Sequence, residues 1–557
     1  MTQFVHPWRH VWCGRVLGSV LLLLAGAGCE ASSSPLEVGA VVAGGDVVCR
    51  PAPLRGASPD SPLGFLFAFY HGAHDPSMPP PGLSTIRPLD DPPYSIAYGL
   101  GSRWERVSEP ILNWTFVQRD AAAIRDGSFD WSIPDNFLLQ IPPEIQILAN
   151  LSPGDARLVD GAWAFPNPML DAAFRTFVER AVERYDGDGV DDAPGLVNPV
   201  KHWQLDNEPV TKELRSGACT PSGGRSPEDC LNTDHAGYAA LLRGTVEAAI
   251  AADPEATVLP GGVFSVPSGD IDDFVFESFW APLLADLSGF PLHGFDLHSF
   301  GAWDALPDRF RRYRAALDAA GFDATPIWMT EIGSPSHIEG ERWQAADHAR
   351  RFALALGLGA RKVFRAWALV EGWPPFDCAS VFEYTGLVHD GRCDDDPGWG
   401  VPKLGYFTYA LFARQIADVD PTAVTLLEEG SDGVYVVRFP GHDGRVSWLA
   451  WSASGAPQNV TLDVGASACV TFTESVPWAS SGADIPQGIE LTGLEALFVR
   501  RSEAVVGGTV TFEVQAEPVF VEVQPPVTPV SAWSQWSLWL LMGLLLGLSG
   551  LQLRRMG

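Results

Sequence analysis

Two glutamates at the ends of apolar segments are the residues of this chain best suited to breaking a covalent bond. Lys201-His202-Trp203-Gln204-Leu205-Asp206-Asn207-Glu208-Pro209 reads as a strand that delivers Asn207 and Glu208 at its C-terminal end, where Pro209 discourages continuation. Pro326-Ile327-Trp328-Met329-Thr330-Glu331-Ile332-Gly333 also ends in a glutamate, and Gly333 lets the chain turn. Two carboxyl groups facing one cleft suit double displacement at an anomeric carbon, in which one attacks while the other protonates the leaving oxygen. Retention needs them about 5–5.5 Å apart, whereas inversion needs roughly 6.5–9.5 Å to admit a water. One must hold its proton near neutral pH, through burial and a negative neighbour, while the other stays ionised. Glu208 is therefore expected to be the general acid/base and Glu331 the nucleophile. A lone Asn-Glu-Pro tripeptide would mean little; the second strand-end glutamate gives it weight.

Something must bring these residues together, and the rhythm of the chain supplies it. From Leu63, short apolar runs alternate with longer amphipathic segments, the pattern of a parallel sheet with crossover helices. Strands are expected at Leu63–Phe69, Ser102–Val107, Ile145–Asn150, Lys201–Leu205, Thr257–Leu259, Phe295–Phe300, Pro326–Thr330 and Val363–Ala368. Apolar residues at helical spacing predict helices over Leu170–Tyr185, His235–Ala252, Pro307–Ala320 and Trp343–Leu358. Eight such units fit a closed (β/α)8 TIM barrel better than an open doubly wound sheet, and the C-terminal strand ends form the active face. Glu208 then follows strand four and Glu331 ends strand seven, so both face one mouth. No glycine-rich phosphate loop follows any strand, which leaves nucleotide binding without support.

Trp203–Pro209 and Trp328–Gly333 resemble the two signature segments of clan A glycoside hydrolases, the group that contains cellulases, β-xylosidases and β-galactosidases. The resemblance extends more loosely over residues 63–410, and a trailing β domain is also found in members such as the β-xylosidases. It implies the same roles for Glu208 and Glu331, and a hydrogen bond from Asn207 to the sugar 2-hydroxyl. Gly101-Ser102-Arg103-Trp104-Glu105-Arg106 resembles the second strand of the clan, whose terminal arginine supports the nucleophile. A guanidinium at Arg106 would keep Glu331 ionised; an ordinary structural ion pair is the alternative. His298, in Asp296-Leu297-His298-Ser299-Phe300, matches a sixth-strand histidine, although it could be a satisfied core residue. Many members carry Tyr two positions later, beside the nucleophile; this chain departs from them with Phe300. Trp367 matches an aromatic floor under the sugar in subsite −1, or it fills the barrel mouth. Trp303 and Trp373 are candidates for outer subsites.

Beyond Ala410 the texture becomes that of an all-β sandwich, with strands expected at Val434–Phe439, Val446–Trp451, Val460–Val464, Ala468–Thr473 and Ala496–Arg500. Val510–Val514 and Val519–Val523 could add strands or belong to a stalk. The expected organisation is a signal sequence over 1–29, a lead-in over 30–60, the barrel over 61–420, the sandwich over 421–502, a strand-containing or proline-rich stalk over 503–532 and a transmembrane sorting segment over 533–557. Arg9, His10 and Arg15 precede the short apolar run Val16–Ala27, the layout of a secretory signal. Cys29 resembles a lipoprotein cleavage cysteine, but Gly26 stands where such signals carry Leu, so ordinary cleavage is the alternative. Trp536–Leu553 is almost unbroken apolar chain followed by Arg554 and Arg555, as in sorting tags that a protease can remove. Membrane attachment is thus expected through this helix, with an N-terminal lipid as a second anchor.

An exported chain can hold disulfides. Cys219 and Cys230 share one polar insert and Cys378 and Cys393 another; Cys49 and Cys469 could join the chain start to the second domain. Asp186-Gly187-Asp188-Gly189-Val190-Asp191-Asp192 resembles part of a calcium loop, with Asp186, Asp188 and Asp192 as ligands, yet Val197 stands where an EF-hand needs glutamate. A solvated acidic turn is the plainer alternative. The excess of 68 acidic over 37 basic residues argues against a nucleic-acid partner. The expected activity is retaining hydrolysis of a β-linked O-glycoside in an extracellular carbohydrate, with no metal or organic cofactor required. The alternative is a catalytically silent, surface-tethered carbohydrate-binding protein on the same scaffold.

Overall fold

The strands around the two glutamates form one parallel ring. The computed structural model describes residues 41–43, 46–49, 51, 53–68, 94–154, 168–211, 231–264, 269–372, 378, 380–394, 396–430, 433–465, 469–486, 491–505 and 507–524. The barrel strands are β1 (Leu63–Leu66), β2 (Trp104–Asn113), β3 (Gln146–Ser152), β4 (His202–Leu205), β5 (Thr257–Pro260), β6 (Phe295–Ser299), β7 (Ile327–Ile332) and β8 (Lys362–Arg365). They are hydrogen-bonded in the order β5-β4-β3-β2-β1-β8-β7-β6. Between β5 and β6 the ring closes through a single parallel bridge, Val263 to Leu297. Its hydrogen bonds run from Val263 N to Asp296 O at 3.0 Å and from His298 N to Val263 O at 3.2 Å.

A helix follows each strand: α1 (Tyr94–Leu100), α2 (Ser132–Leu138), α3 (Pro168–Tyr185), α4 (His235–Ala252), α5 (the consecutive turns Gly269–Val275, Phe276–Trp280 and Ala281–Asp286), α6 (Leu306–Ala319), α7 (Gly340–Gly357) and α8 (Leu404–Gln415). Local chemistry starts several of them. Asp234 caps α4 by accepting from Gly237 N, and Pro307 occupies the first turn of α6, where its missing N–H costs nothing. Helix α7 is buried on nearly every side, and Ala345, Ala346, Ala349, Ala353 and Ala355 let the barrel and the β region approach it closely. The expected (β/α)8 architecture, its strands and its four named helices match this arrangement within a few residues.

The barrel interior is layered. Trp104, Leu148, Leu259, Trp328 and Phe364 plug the N-terminal end, with the Trp104 and Trp328 rings edge-to-face at 5.1 Å. Gly64 makes room for the plug: a Cβ there would lie 2.6 Å from Phe364 Cδ1 and 2.8 Å from Trp104 Cβ. Two residues further along the strands, on the same inward face, the layer turns polar, with Arg106, Asn150 and Thr330.

The C-terminal strands are β9 (Thr425–Glu429), β10 (Val434–Pro440), β11 (Val446–Ser452), β12 (Gln458–Asp463), β13 (Cys469–Glu474), β14 (Arg500–Ala504), β15 (Thr509–Val514) and β16 (Val519–Gln524). A sheet in the order β9-β10-β11-β16-β13-β14 faces the pair β12–β15 across an apolar core. The sandwich therefore runs to Gln524 and corrects a boundary at 502. Of the two roles open to 510–514 and 519–523, both segments take the strand role, and β16 is central because Val519, Val521 and Val523 pack into that core. Phe412 of α8 packs on Phe439 and Phe520, so barrel and sandwich share one continuous core. Arg342 of α7 grips Glu517 through two nitrogens, at 3.0 and 2.6 Å. Disulfides join Cys49 to Cys469 and Cys378 to Cys393. Among the described residues no helix is long and apolar enough to cross a membrane. The leader with Cys29, the segment 533–557, Cys219 and Cys230 all lie outside the described residues.

Candidate active site

The polar layer opens onto the two glutamates. Arg106 projects inward from β2 and is fully buried. Its Nη1 donates to Glu331 Oε1 at 2.6 Å, Nε to Gln204 Oε1 at 2.8 Å and Nη2 to Asn207 Oδ1 at 2.8 Å. One guanidinium thus spans the ends of β4 and β7. Gln204 is oriented in turn by Asp296, whose Oδ2 accepts from Gln204 Nε2 at 2.6 Å and from Thr330 Oγ1 at 2.5 Å.

Glu331 reaches the interior through an irregularity in β7. Trp328 and Thr330 face inward, so strict alternation would turn Glu331 toward the helices. Instead, β6 pairs Asp296 with Trp328 and His298 with Glu331, and β8 pairs Val363 with Met329 and Arg365 with Ile332. Both neighbours oppose one fewer residue than β7 contains. This β-bulge swings Glu331 inward beside Thr330. On β4 the chain passes through left-handed conformations at Asp206 (φ 63°) and Glu208 (φ 46°). Such strained backbone collects at functional sites, and here it turns Glu208 into the mouth.

His298 stands between the carboxylates. Its Nδ1 lies 2.7 Å from Glu208 Oε1 and 3.5 Å from Glu331 Oε2, while Nε2 lies 3.2 Å from Asp296 Oδ2. The liganding atoms of Glu208, His298 and Glu331 all fall within 4.8 Å of one another. Burial opposes a charge on His298, but Glu331 and Asp296 outweigh it, and together with the hydrogen bonds they lift its pKa to about 9. Asp296 responds in reverse: burial pushes its pKa up, but His298, Arg106 and Thr330 prevail and hold it below the usual carboxylate range.

Phe300 stacks on Trp367 with centroids 5.6 Å apart and planes 8° from parallel, and Phe382 meets Trp367 edge-on at 5.0 Å. Phe300 thus helps build an aromatic wall with Trp367 and Phe382.

Trp303 is half-buried: it packs against Tyr435 and Trp451 of the sandwich and lies under the Arg350 guanidinium. Trp373 lies outside the described residues. The oxygens of Asp186, Asp188 and Asp192 do converge within 4.8 Å. They are engaged with the loop's own backbone, Asp192 accepting from Gly187 N and Gly189 N.

Sequence reasoning missed Gln204, Asp296, Thr330 and Asn150. Asp296 stands two residues before His298 on the same strand face, and that period would have found it.

No protein-family model and no curated protein sequence matches the chain. Solved structures do. A family 51 α-L-arabinofuranosidase from Bifidobacterium longum aligns with 13% identity over 85% of this chain and 97% of its own, with a TM-score of 0.51. A monomeric β-xylosidase from Caulobacter crescentus aligns with 16% identity over 86% and 98%, also with a TM-score of 0.51. The likeness is one of fold. It spans both the barrel and the sandwich, so the order and joining of the two domains are shared.

Proposed function

We propose that the protein is a retaining glycoside hydrolase that cleaves β-linked O-glycosidic bonds in an extracellular glycan or oligosaccharide. The observation that carries this reading is the approach of Glu208 and Glu331 to within 4.8 Å at the C-terminal face of the ring. An approach that close is nearer to the retaining separation of about 5–5.5 Å than to the inverting one of roughly 6.5–9.5 Å. Arg106 engages Glu331 Oε1, and the guanidinium favours the ionised, attacking form of the group. Glu208 protonates the departing oxygen and then, as a base, activates the water that releases the sugar. Asn207, its carbonyl oxygen held by Arg106, presents its amide nitrogen to the sugar 2-hydroxyl.

His298 completes the proton inventory. Its 2.7 Å hydrogen bond to Glu208 lets the pair share one proton, resting on the imidazole until a sugar displaces charge from the mouth and then passing to the carboxyl. Trp367, backed by Phe300 and Phe382, offers the face for a pyranose or furanose ring. Two disulfides favour an oxidising, extracytoplasmic setting. The structural relatives named for xylosides and arabinofuranosides suggest where a substrate screen should begin.

The test is a panel of aryl β-glycosides and aryl α-L-arabinofuranosides offered to the wild type, Glu208→Ala and Glu331→Ala. Azide should rescue Glu331→Ala with inverted product and Glu208→Ala with retained product. Full turnover by Glu331→Ala without an added nucleophile would end the proposal.

A further inference from the structure

A second set of ionisable side chains is buried where the segment after β8 meets α7 and α8, and the proposed glycosidase chemistry makes no use of it. Glu371 follows β8; His389 and Asp396 lie farther along the segment that the Cys378–Cys393 disulfide staples. His389 Nδ1 is 3.2 Å from Glu371 Oε2 and 3.2 Å from Asp396 Oδ1, and the three side chains are 8, 1 and 3% exposed. A ring nitrogen carries at most one hydrogen, which serves two oxygens only as a weaker, shared three-centre bond. A metal ion can serve both: with bonds of about 2.0–2.2 Å, the ligand atoms of a tetrahedral ion stand roughly 3.3–3.6 Å apart.

The far side of the imidazole gives an independent sign. Nε2 lies 3.4 Å from Glu341 Oε1, and Glu341 Oε2 is pinned by Leu404 N and Gly482 N, both at 2.8 Å. A carboxylate on the distal nitrogen fixes the tautomer of a metal-bound histidine, leaving the Nδ1 lone pair to the ion. Charge points the same way. Among the described residues, Glu341, Glu371, Asp390 and Asp396 gather around Lys403, bonded to Glu371 and to Ser336 Oγ, and Arg392, 3.3 Å from Asp390. With a neutral imidazole these described groups are more negative than positive, an imbalance that a divalent cation would relieve.

We propose that Glu371, His389 and Asp396 bind one first-row divalent ion, zinc by the nature of its nitrogen and oxygen ligands, as a structural clasp between the segment after β8, the start of α7 and the sandwich. Calcium, which takes six to eight oxygens, fits this set poorly. The rival occupant is a proton on His389. Burial disfavours it, but Asp396, Glu341 and Glu371 would hold it with a pKa of about 10.

The full chain, stripped with a chelator and titrated with zinc by calorimetry at neutral pH, should take up one ion, and calcium should not replace it. His389→Ala and Asp396→Asn should each weaken binding at least tenfold, of the order that loss of even an outer partner costs. Glu331→Gln and Asp186→Asn, which alter the other two acidic clusters, should bind as the wild type does. Zinc should raise the melting temperature of the wild type and leave His389→Ala unmoved. If neither ligand variant folds, cobalt decides: an intense visible band on the wild-type protein is expected of a four-coordinate site. Absence of zinc uptake and of that band, or loss of binding in Glu331→Gln with retention in His389→Ala, would overturn the proposal.

Discussion

Arg106 does two jobs that ordinarily conflict. It neutralises a fully buried carboxylate, and it fixes where that carboxylate points. Removing one partner of such a pair strands the other, so Arg106→Met should cost about 3–5 kcal/mol of stability. Adding Glu331→Gln should return part of that loss; chemical denaturation of the two single variants and the double would show strict additivity if the pair were unimportant. The His298 proton sets a second expectation. Folding raises its pKa from 6.5 to about 9, so its stabilising contribution is full below pH 6.5 and disappears as pH rises through 9. The same proton supplies Glu208, so kcat/KM should fall over that alkaline range, and His298→Asn should change the limb's shape and not merely its height. A wild-type profile that stays flat past pH 10 would contradict the shared proton. The glutamates were legible because each stands at or just beyond the C-terminal end of a strand, and Arg106 because its segment resembles the second strand of the clan. His298 was open to two readings because a strand histidine says nothing about which carboxylates will surround it.

At the scale of elements, the ring could be read from alternating apolar and amphipathic segments, but its departures from regularity could not. Apolar alternation announces β7 yet is blind to the extra residue that turns Glu331 inward. That register exists only against β6 and β8. The contacts of Trp303 were illegible for a related reason: its packing against Tyr435 depends on the neighbouring sandwich. The junction of β5 with β6 offers a direct test. Gly262 precedes the bridge residue Val263, and a Cβ there would lie 2.0 Å from His298 Nε2. Gly262→Ala should destabilise the fold by about 1–3 kcal/mol and, by displacing the imidazole, lower kcat by about 10²-fold. Activity within twofold of the wild type would show that the ring position is not critical.

Across the whole molecule, the sandwich is built into the barrel's own core, through Phe412, Arg342 and the alanine faces of α7, and is no separate appendage. The Cys49–Cys469 disulfide spans 420 residues. Loop-closure entropy grows only slowly with length, so Cys49→Ser should cost about 2–4 kcal/mol, measured as a lower denaturation midpoint under oxidising conditions; an unchanged midpoint would mean the packing of the lead-in suffices without it. The same bond bears on how the protein can be dissected. A clone trimmed to the ring of strands would be born with an orphan thiol at position 49, and its dimers, held by mixed disulfides, could pass for a native quaternary state that the intact polypeptide never forms.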